Sequence, residues 1–416
     1  MSRAVAIVGS GPSGCYLAQA LLKAEPDLRL DLIDRLPVPY GLVRYGVAAD
    51  HQGTKGVIRQ FERLFERQGA GFIGNVSIGD DVSLDDLRAA YDAVVLAAGL
   101  SADRALDIPG EALSGVHRAG RLTRALYEHP DAEPLPELGS RVVIMGNGNV
   151  AIDILRLLAK TPEELAGSDL GAGPTAWLAA SRIEEIEIVG RSPAAAAKFD
   201  PVMIKELAKL EGVSIRVVDA GVGDDPAAAK KIAALEAIDG HGSGERRITF
   251  RFGLTPVELS GVDGRLQEAR FEDRQGEPLV LPCSAFITAI GFAAQEGLPR
   301  DAMIGGAVDP EAGVIDAGLY ATGWFRRGPQ GTIPDNRADA QRLAERILAD
   351  LQTNGGSAVK PGRNAYPAWV DAVDYQGWKR IDAAEIAAAP QNRCRAKIAS
   401  RDAMLALAFQ KKEPQQ

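Results

Sequence analysis

RAVAIVGSGPSGCYLAQALL, residues 3–22, is the stretch that decides the fold. Arg3 to Val8 is a short apolar run, the length of one buried strand. Gly9-Ser-Gly11-Pro-Ser-Gly14 follows at once, and Cys15 to Leu22 reads as an apolar helix. A second apolar run, Leu28 to Ile33, ends on Asp34, about twenty residues past Gly14. Each glycine has a mechanical reason. Gly9 permits the tight turn, Gly11 lets the backbone approach a pyrophosphate, and Gly14 lets helix and strand pack closely. Amides at the helix start hold the phosphates, and Asp34 stands where an acid accepts from a ribose hydroxyl. Strand, glycines, helix and acid in register make a dinucleotide-binding βαβ unit of an α/β fold.

The rest of the chain supplies a second such turn. Arg141 to Met145 is a strand, Gly146-Asn147-Gly148-Asn149-Val150-Ala151 is GxGxxA, and Ile152 to Ala159 continues as a helix. Two complete turns imply two dinucleotides, or one and a decayed copy. The strand Ile183 to Val189 ends on Gly190-Arg191-Ser192, where a second strand selects the adenosine ribose or its phosphate. Between the turns, 35–58 is rich in Pro and Gly, with a helix expected from about Thr54 to Arg67 and strands at 72–78 and 92–98. Residues 161–182 read as an insertion, and 213–300 as a β-rich stretch with a helix near 227–238. A helix is expected from about Asn336 to Leu351, a surface loop at 353–365, and a frayed polar end at KKEPQQ.

Length and composition narrow the class. The 416 residues suggest two or three domains, and 46% hydrophobic with 25% charged residues is ordinary for a globular protein. A first strand beginning at Arg3 leaves no room for a leader, and no apolar stretch is long enough to span a bilayer. Both point to the cytoplasm and away from a membrane. Cys15, Cys283 and Cys394 lie far apart, so no disulfide framework, metal site or protein-bound iron–sulfur cluster is indicated. Dithiol flavoprotein reductases need a close cysteine pair, which this sequence lacks. A net charge of −9 argues against nucleic acid as a partner.

Three blocks carry a closer likeness: PYGLVRYGVAADHQGTKGVI (39–58), GNGNVAIDILRLL (146–158) and GLYATGWFRRGPQGTI (318–333). Together they resemble the signatures of adrenodoxin reductase-type ferredoxin–NADP(+) reductases, glutathione-reductase-like flavoproteins. The resemblance implies two Rossmann-like dinucleotide-binding domains, with the NAD(P) domain (108–309) inserted in a discontinuous FAD domain (1–107 and 310–416). It implies electrons passed as hydride from NADPH or NADH to FAD, then one at a time to an acidic ferredoxin-type iron–sulfur protein, by a monomer. Gly9, Gly11, Ser13, Gly14 and Asp34 would bind the adenosine end of FAD. Leu42 and Ile78 would lie against FAD, and Gly323, Trp324, Gly331, Thr332 and Ile333 around its isoalloxazine. Gly146, Asn147, Gly148, Asn149 and Val150 would bind the nicotinamide nucleotide, with Arg191 and Ser192 at its ribose. His51, within a DHQ triplet, and the acidic Asp153 and Glu206 match positions that the family associates with the catalytic site. Such a set takes up the proton that accompanies flavin reduction.

The departures are informative. The family commonly has two adjacent arginines at the 2′-phosphate, and here Gly190-Arg191-Ser192-Pro193 keeps one. Asp200 and Met203 replace a threonine and a glutamate of the family's next stretch. A single cation clamps a phosphate less strongly than a pair, so preference for NADPH over NADH should weaken. Docking of an acidic partner calls for a basic face, for which Arg326, Arg327, Lys230, Lys231, Arg246, Arg247, Arg393, Arg395, Lys397 and Arg401 are the candidates. The competing functions are an NAD(P)H diaphorase or quinone reductase, a flavin monooxygenase, and a non-catalytic flavin-binding protein. The monooxygenase fingerprint is absent, and the intact GNGNVA argues against the last.

Overall fold

A computed structural model describes residues 3–294, 298–353, 359–366 and 371–410. The KKEPQQ end, and residues 354–358 of the loop expected at 353–365, lie outside the described residues; the rest of that loop includes the short 3-10 turn Gly362–Ala365. The chain divides into two compact units, Met1–Ala102 with Phe292–Gln416, and Asp103–Gly291. The reading from sequence puts these breaks after residues 107 and 309. Leu298, Met303 and Ile304 pack against the first unit's core, so the chain rejoins that unit before residue 309.

The first unit is built on a six-stranded sheet in the order Val314–Asp316, Leu319–Ala321, Ala93–Leu96, Ala4–Val8, Arg29–Ile33, Gly71–Ile73. All neighbours are parallel except the hairpin at the Val314 edge. Successive side chains in a strand point to opposite faces, and both faces of this sheet are buried. Val5, Ile7, Leu30, Leu32, Ala93 and Val95 enter one core, which includes helices Pro12–Ala24 and Ile333–Thr353. Ala4, Ala6, Val8, Ile33, Val94 and Leu96 enter the other. That two-sided burial explains why these strands read as unbroken apolar runs. The helix expected over Thr54 to Arg67 is broken: Gln52–Lys55 is a short turn, Gly56 ends it, and Ile58–Glu66 starts anew.

The second unit has its own six-stranded, fully parallel sheet, ordered Val116–Arg118, Ala285–Thr288, Arg141–Met145, Glu185–Gly190, Arg246–Phe252, Val213–Val217. A three-stranded antiparallel sheet (Thr255–Val262, Arg265–Glu272, Pro278–Pro282) covers one face through Leu259, Ala269, Phe271 and Leu281. Phe271 stacks on Phe286 with ring centres 6.3 Å apart. The helix Asn149–Ala159 buries Ile152, Ile154, Leu155, Leu157 and Leu158. Each such fully buried side chain contributes about 1.5–3 kcal/mol. Two Rossmann-like units, one interrupting the other in sequence, are thus built from strand patterns visible in the chain.

Candidate functional site

The first glycine turn is sealed on both sides and open in the middle. A β-carbon at Gly9 would stand 2.4 Å from the Ala97 carbonyl oxygen, and one at Gly14 would stand 2.0 Å from the Gly9 carbonyl oxygen. At Gly11 the nearest atom would be the Gly41 α-carbon at 3.9 Å. The outer glycines therefore let strand and helix close, while the middle one faces space, as a pyrophosphate requires. Asp34 braces the turn: its carboxylate accepts from the Ser10 amide (3.0 Å), the Ser10 hydroxyl (2.5 Å) and the Leu36 amide (3.0 Å). A carboxylate has about four acceptor sites, so one is left for a ribose hydroxyl.

The C-terminal block folds onto the same turn. After the strand Leu319–Ala321 the chain turns at Gly323 (φ 62°) into the short helix Gly323–Arg327. Asn336, buried on the helix Ile333–Thr353, ties three pieces together. Its side-chain oxygen accepts from the Ser13 hydroxyl (2.9 Å) and Arg327 (2.9 Å), and its amide donates to the Thr332 carbonyl (3.0 Å). Buried Asp339, three residues along, accepts from the Thr322 hydroxyl and the Gly323 amide, each at 3.0 Å, and pairs with Arg326. Burial pushes its carboxyl up, but the Gly323 amide and Arg326 outweigh this and hold it below the usual carboxylate range. Trp324 is half-buried and stacks on Phe292, ring centres 5.8 Å apart.

Among the residues expected around the isoalloxazine, the Thr332 amide donates to the Asp335 carboxylate (2.5 Å). Leu42 is 38% exposed, an apolar side chain left uncovered beside the glycine turn. Ile78 packs against the core around Ile73 and Val76. His51 is half-buried at the start of the turn Gln52–Lys55. The loop that carries Leu42 and His51 is anchored by buried Arg44, paired with fully buried Glu385. Arg395 also bonds Glu385, at 2.8 Å. Burial pushes the Glu385 carboxyl up, and Arg44, the Ile398 amide and Arg395 bring it below the usual range.

The second unit repeats the cradle. A β-carbon at Gly146 (φ 135°) would stand 2.2 Å from the Ala289 carbonyl oxygen, whereas one at Gly148 would meet only the Lys198 β-carbon, at 4.0 Å. Ala151, in the third glycine position, is fully buried. Asn147 donates to the Ser192 hydroxyl (3.1 Å), and Asn149 accepts from the Asp200 amide (2.7 Å). Val150 is half-buried and Arg191 exposed. The Asp200 carboxylate caps the helix Pro201–Glu206 by accepting from the Val202 amide (2.8 Å). Asp153 is ion-paired with buried Arg156 at 2.9 Å, and its helix touches the one ending in Glu206. Of the three residues expected to catalyse, His51 belongs to the first unit and Asp153 and Glu206 to the second.

Most cations expected to form a docking face are used internally. Arg326 and Arg327 engage Asp339 and Asn336. Arg246 donates to the Leu158, Ala159 and Ile183 carbonyls. Arg395 pairs with Asp382 and Glu385, Lys397 is buried, and Arg401 donates to the Arg35 carbonyl and Asn75. Sequence reasoning missed Asn336, Asp339, Phe292 and Glu385. The first pair carried a signal, two polar side chains three apart on the inner face of an amphipathic helix. Phe292 and Glu385 carried none.

Comparisons with known proteins agree with this architecture. Residues 3–333 match the pyridine nucleotide-disulphide oxidoreductase family. The chain is 43% identical over 409 residues to cindoxin reductase of Citrobacter braakii, covering 95% of this chain and 88% of that protein. It is 35% identical over 442 residues to NADPH-ferredoxin reductase FprA of Mycobacterium tuberculosis, covering 95% and 97%. The solved structure of the M. tuberculosis FprA in complex with NADPH superimposes with a TM-score of 0.91 at 32% identity, covering 99% of this chain and all of that one.

Proposed function

The chain belongs to the pyridine nucleotide-disulphide oxidoreductase family, among the adrenodoxin reductase-type ferredoxin–NADP(+) reductases, and from that premise we propose how its residues serve electron transfer. It is an FAD-dependent oxidoreductase that takes electrons from NADPH and passes them to a ferredoxin-type iron–sulfur protein. The observation that carries this reading is the pair of cradles, each closed by its outer positions and open at Gly11 or Gly148. Both groups therefore fit the residues present. Gly9, Gly11, Ser13, Gly14 and Asp34 hold the adenosine half of FAD. Leu42, Ile78, Gly323, Trp324, Gly331, Thr332 and Ile333 serve its ring, and Gly146 to Val150, Arg191 and Ser192 hold the nicotinamide nucleotide.

When bound, FAD supplies the exchange between a two-electron donor and a one-electron acceptor. The protein's part is to bind, orient and manage protons. Asp34 holds the turn and the ribose, and the Asn336 and Asp339 contacts fix Trp324 and the 331–333 backbone. In the first unit the His51 imidazole nitrogen is the group assigned to the accompanying proton, and in the second unit Asp153 and Glu206 are the acidic residues assigned to proton handling. Cys15 and Cys283 are buried free thiols, Cys394 is exposed, and the three lie far apart in the sequence. The electrons' exit is therefore assigned to an external, acidic partner and not to a dithiol. Free thiols suit a reducing compartment such as the cytoplasm, and among the described residues no helix is long and apolar enough to cross a membrane. A monomer completes the reading.

Three measurements test it together. The purified protein should release FAD on denaturation, be bleached by NADPH without oxygen, and reduce cytochrome c only when a ferredoxin is added. Release of FMN alone, or equal reduction without ferredoxin, would replace this reading with the diaphorase alternative.

A further inference from the structure

We propose that Lys198 binds the pyrophosphate of the nicotinamide dinucleotide, placing positive charge on the part that NADH and NADPH share. This rests on the reading of the GNGNVA turn as the nicotinamide nucleotide site. The segment 198–200 is strapped across that turn. The Lys198 amide donates to the Asn147 carbonyl (3.2 Å), Lys198 pairs with Gly148 as a single parallel bridge, and the Asp200 amide donates to Asn149 (2.7 Å). The lysine side chain leaves the backbone beside the space that Gly148 keeps clear: its β-carbon is the one atom near a β-carbon built there, at 4.0 Å. That space is where the middle glycine of such a turn admits a pyrophosphate.

Lys198 is exposed, and among the described residues its ammonium makes no ion pair. The nearest acid in sequence, Asp200, accepts from the Val202 amide. A lysine is a flexible point charge, suited to a phosphate approached by backbone amides from the other side. Asn147 links this point to the ribose end: its carbonyl holds Lys198 and its side chain holds the Ser192 hydroxyl. One cation is therefore missing where only NADPH has a phosphate, and one is present where both nucleotides do.

The test is equilibrium binding of NADP+ and NAD+ to the FAD-loaded protein by titration calorimetry, at two salt concentrations. Lys198→Ala should weaken both nucleotides by the same factor, about tenfold, the size of one charge-assisted contact. It should also flatten their salt dependence, while Lys198→Arg retains binding and Arg191→Ala weakens NADP+ alone. Loss confined to NADP+ in Lys198→Ala, or no loss, overturns the assignment. Gly148→Val separates the two levels. Unchanged binding in that variant overturns the dinucleotide reading of the turn, whereas lost binding there with none lost in Lys198→Ala overturns Lys198 alone.

Discussion

Gly323 and Ser13 stand so close that a β-carbon on the glycine would lie 1.9 Å from the serine hydroxyl oxygen. The glycine turn at the chain's start and the aromatic block near its end are thus fitted to each other with no room for one methyl group. Gly323 also has φ 62°, which a side chain tolerates poorly. Gly323→Ala should cost about 1–3 kcal/mol in backbone strain alone, lower the melting temperature and release FAD on gel filtration. Ser13→Gly in the same chain should recover part of the loss by removing the clash. An alanine variant with unchanged melting temperature and full FAD would refute the close fit.

Asp339 gives the same block a pH dependence. Its folded carboxyl titrates below its unfolded value of about 3.9. The stabilisation is therefore present above about pH 4 and is lost as pH falls through the folded value. Asp339→Ala leaves Arg326 and Arg327 without their buried counterion and should cost about 3–5 kcal/mol. Asp339→Asn keeps an acceptor for Gly323 and should cost less. Acid unfolding followed by circular dichroism checks this: the asparagine variant should lose less stability between about pH 5 and 2 than the parent. Parallel acid profiles would show that the carboxylate contributes nothing there.

Much of this was legible in the chain, because a parallel sheet buried on both faces writes continuous apolar strands and because phosphate-binding turns need glycine at fixed spacing. The glycine turns, Asp34 and the TGW block could be read without coordinates. What could not be read was which charges point inward. Arg326, Arg327 and Arg246 look in sequence like surface cations, yet Arg326 and Arg327 bond buried Asp339 and Asn336 on the following helix and Arg246 bonds the Ala159 carbonyl, far away in the chain. Glu385 was invisible for the same reason: its partner, Arg44, lies far away in the chain. Local pattern reports burial of apolar side chains well and pairing of distant charges not at all.

Ser192→Arg should raise preference for NADPH, though by less than a bare phosphate contact. A new charge-assisted contact to the 2′-phosphate is worth about 1.5–3 kcal/mol. The serine hydroxyl, however, accepts from Asn147 at 3.1 Å, and losing that bond costs about 1 kcal/mol. A net gain of about 1 kcal/mol, near fivefold in kcat/KM for NADPH over NADH, is expected. Steady-state kinetics with both donors measure it. An unchanged ratio would put the 2′-phosphate away from residue 192.

Docking of an acidic ferredoxin should depend on cations that the fold has not already used. Lys230 is exposed on the helix Pro226–Glu236, whereas its neighbour Lys231 donates to the Ala195 carbonyl at 3.4 Å. Arg247 is 62% exposed and paired with Glu185. Lys230→Glu should therefore raise the KM for ferredoxin about two- to fivefold at low salt, the size of one exposed pair. The effect should shrink as ionic strength rises and the Debye length falls to about 10 Å at 0.1 M. Ferricyanide reduction by NADPH should not change, since a small oxidant needs no docking face. Arg326→Glu should behave differently, because it sets two carboxylates together in a buried place with Asp339. That variant should lose FAD and melt lower before any ferredoxin effect can be read. If Arg326→Glu instead keeps its flavin and its melting temperature while ferredoxin KM rises steeply, and Lys230→Glu changes nothing at any salt concentration, the docking face lies at the aromatic block after all.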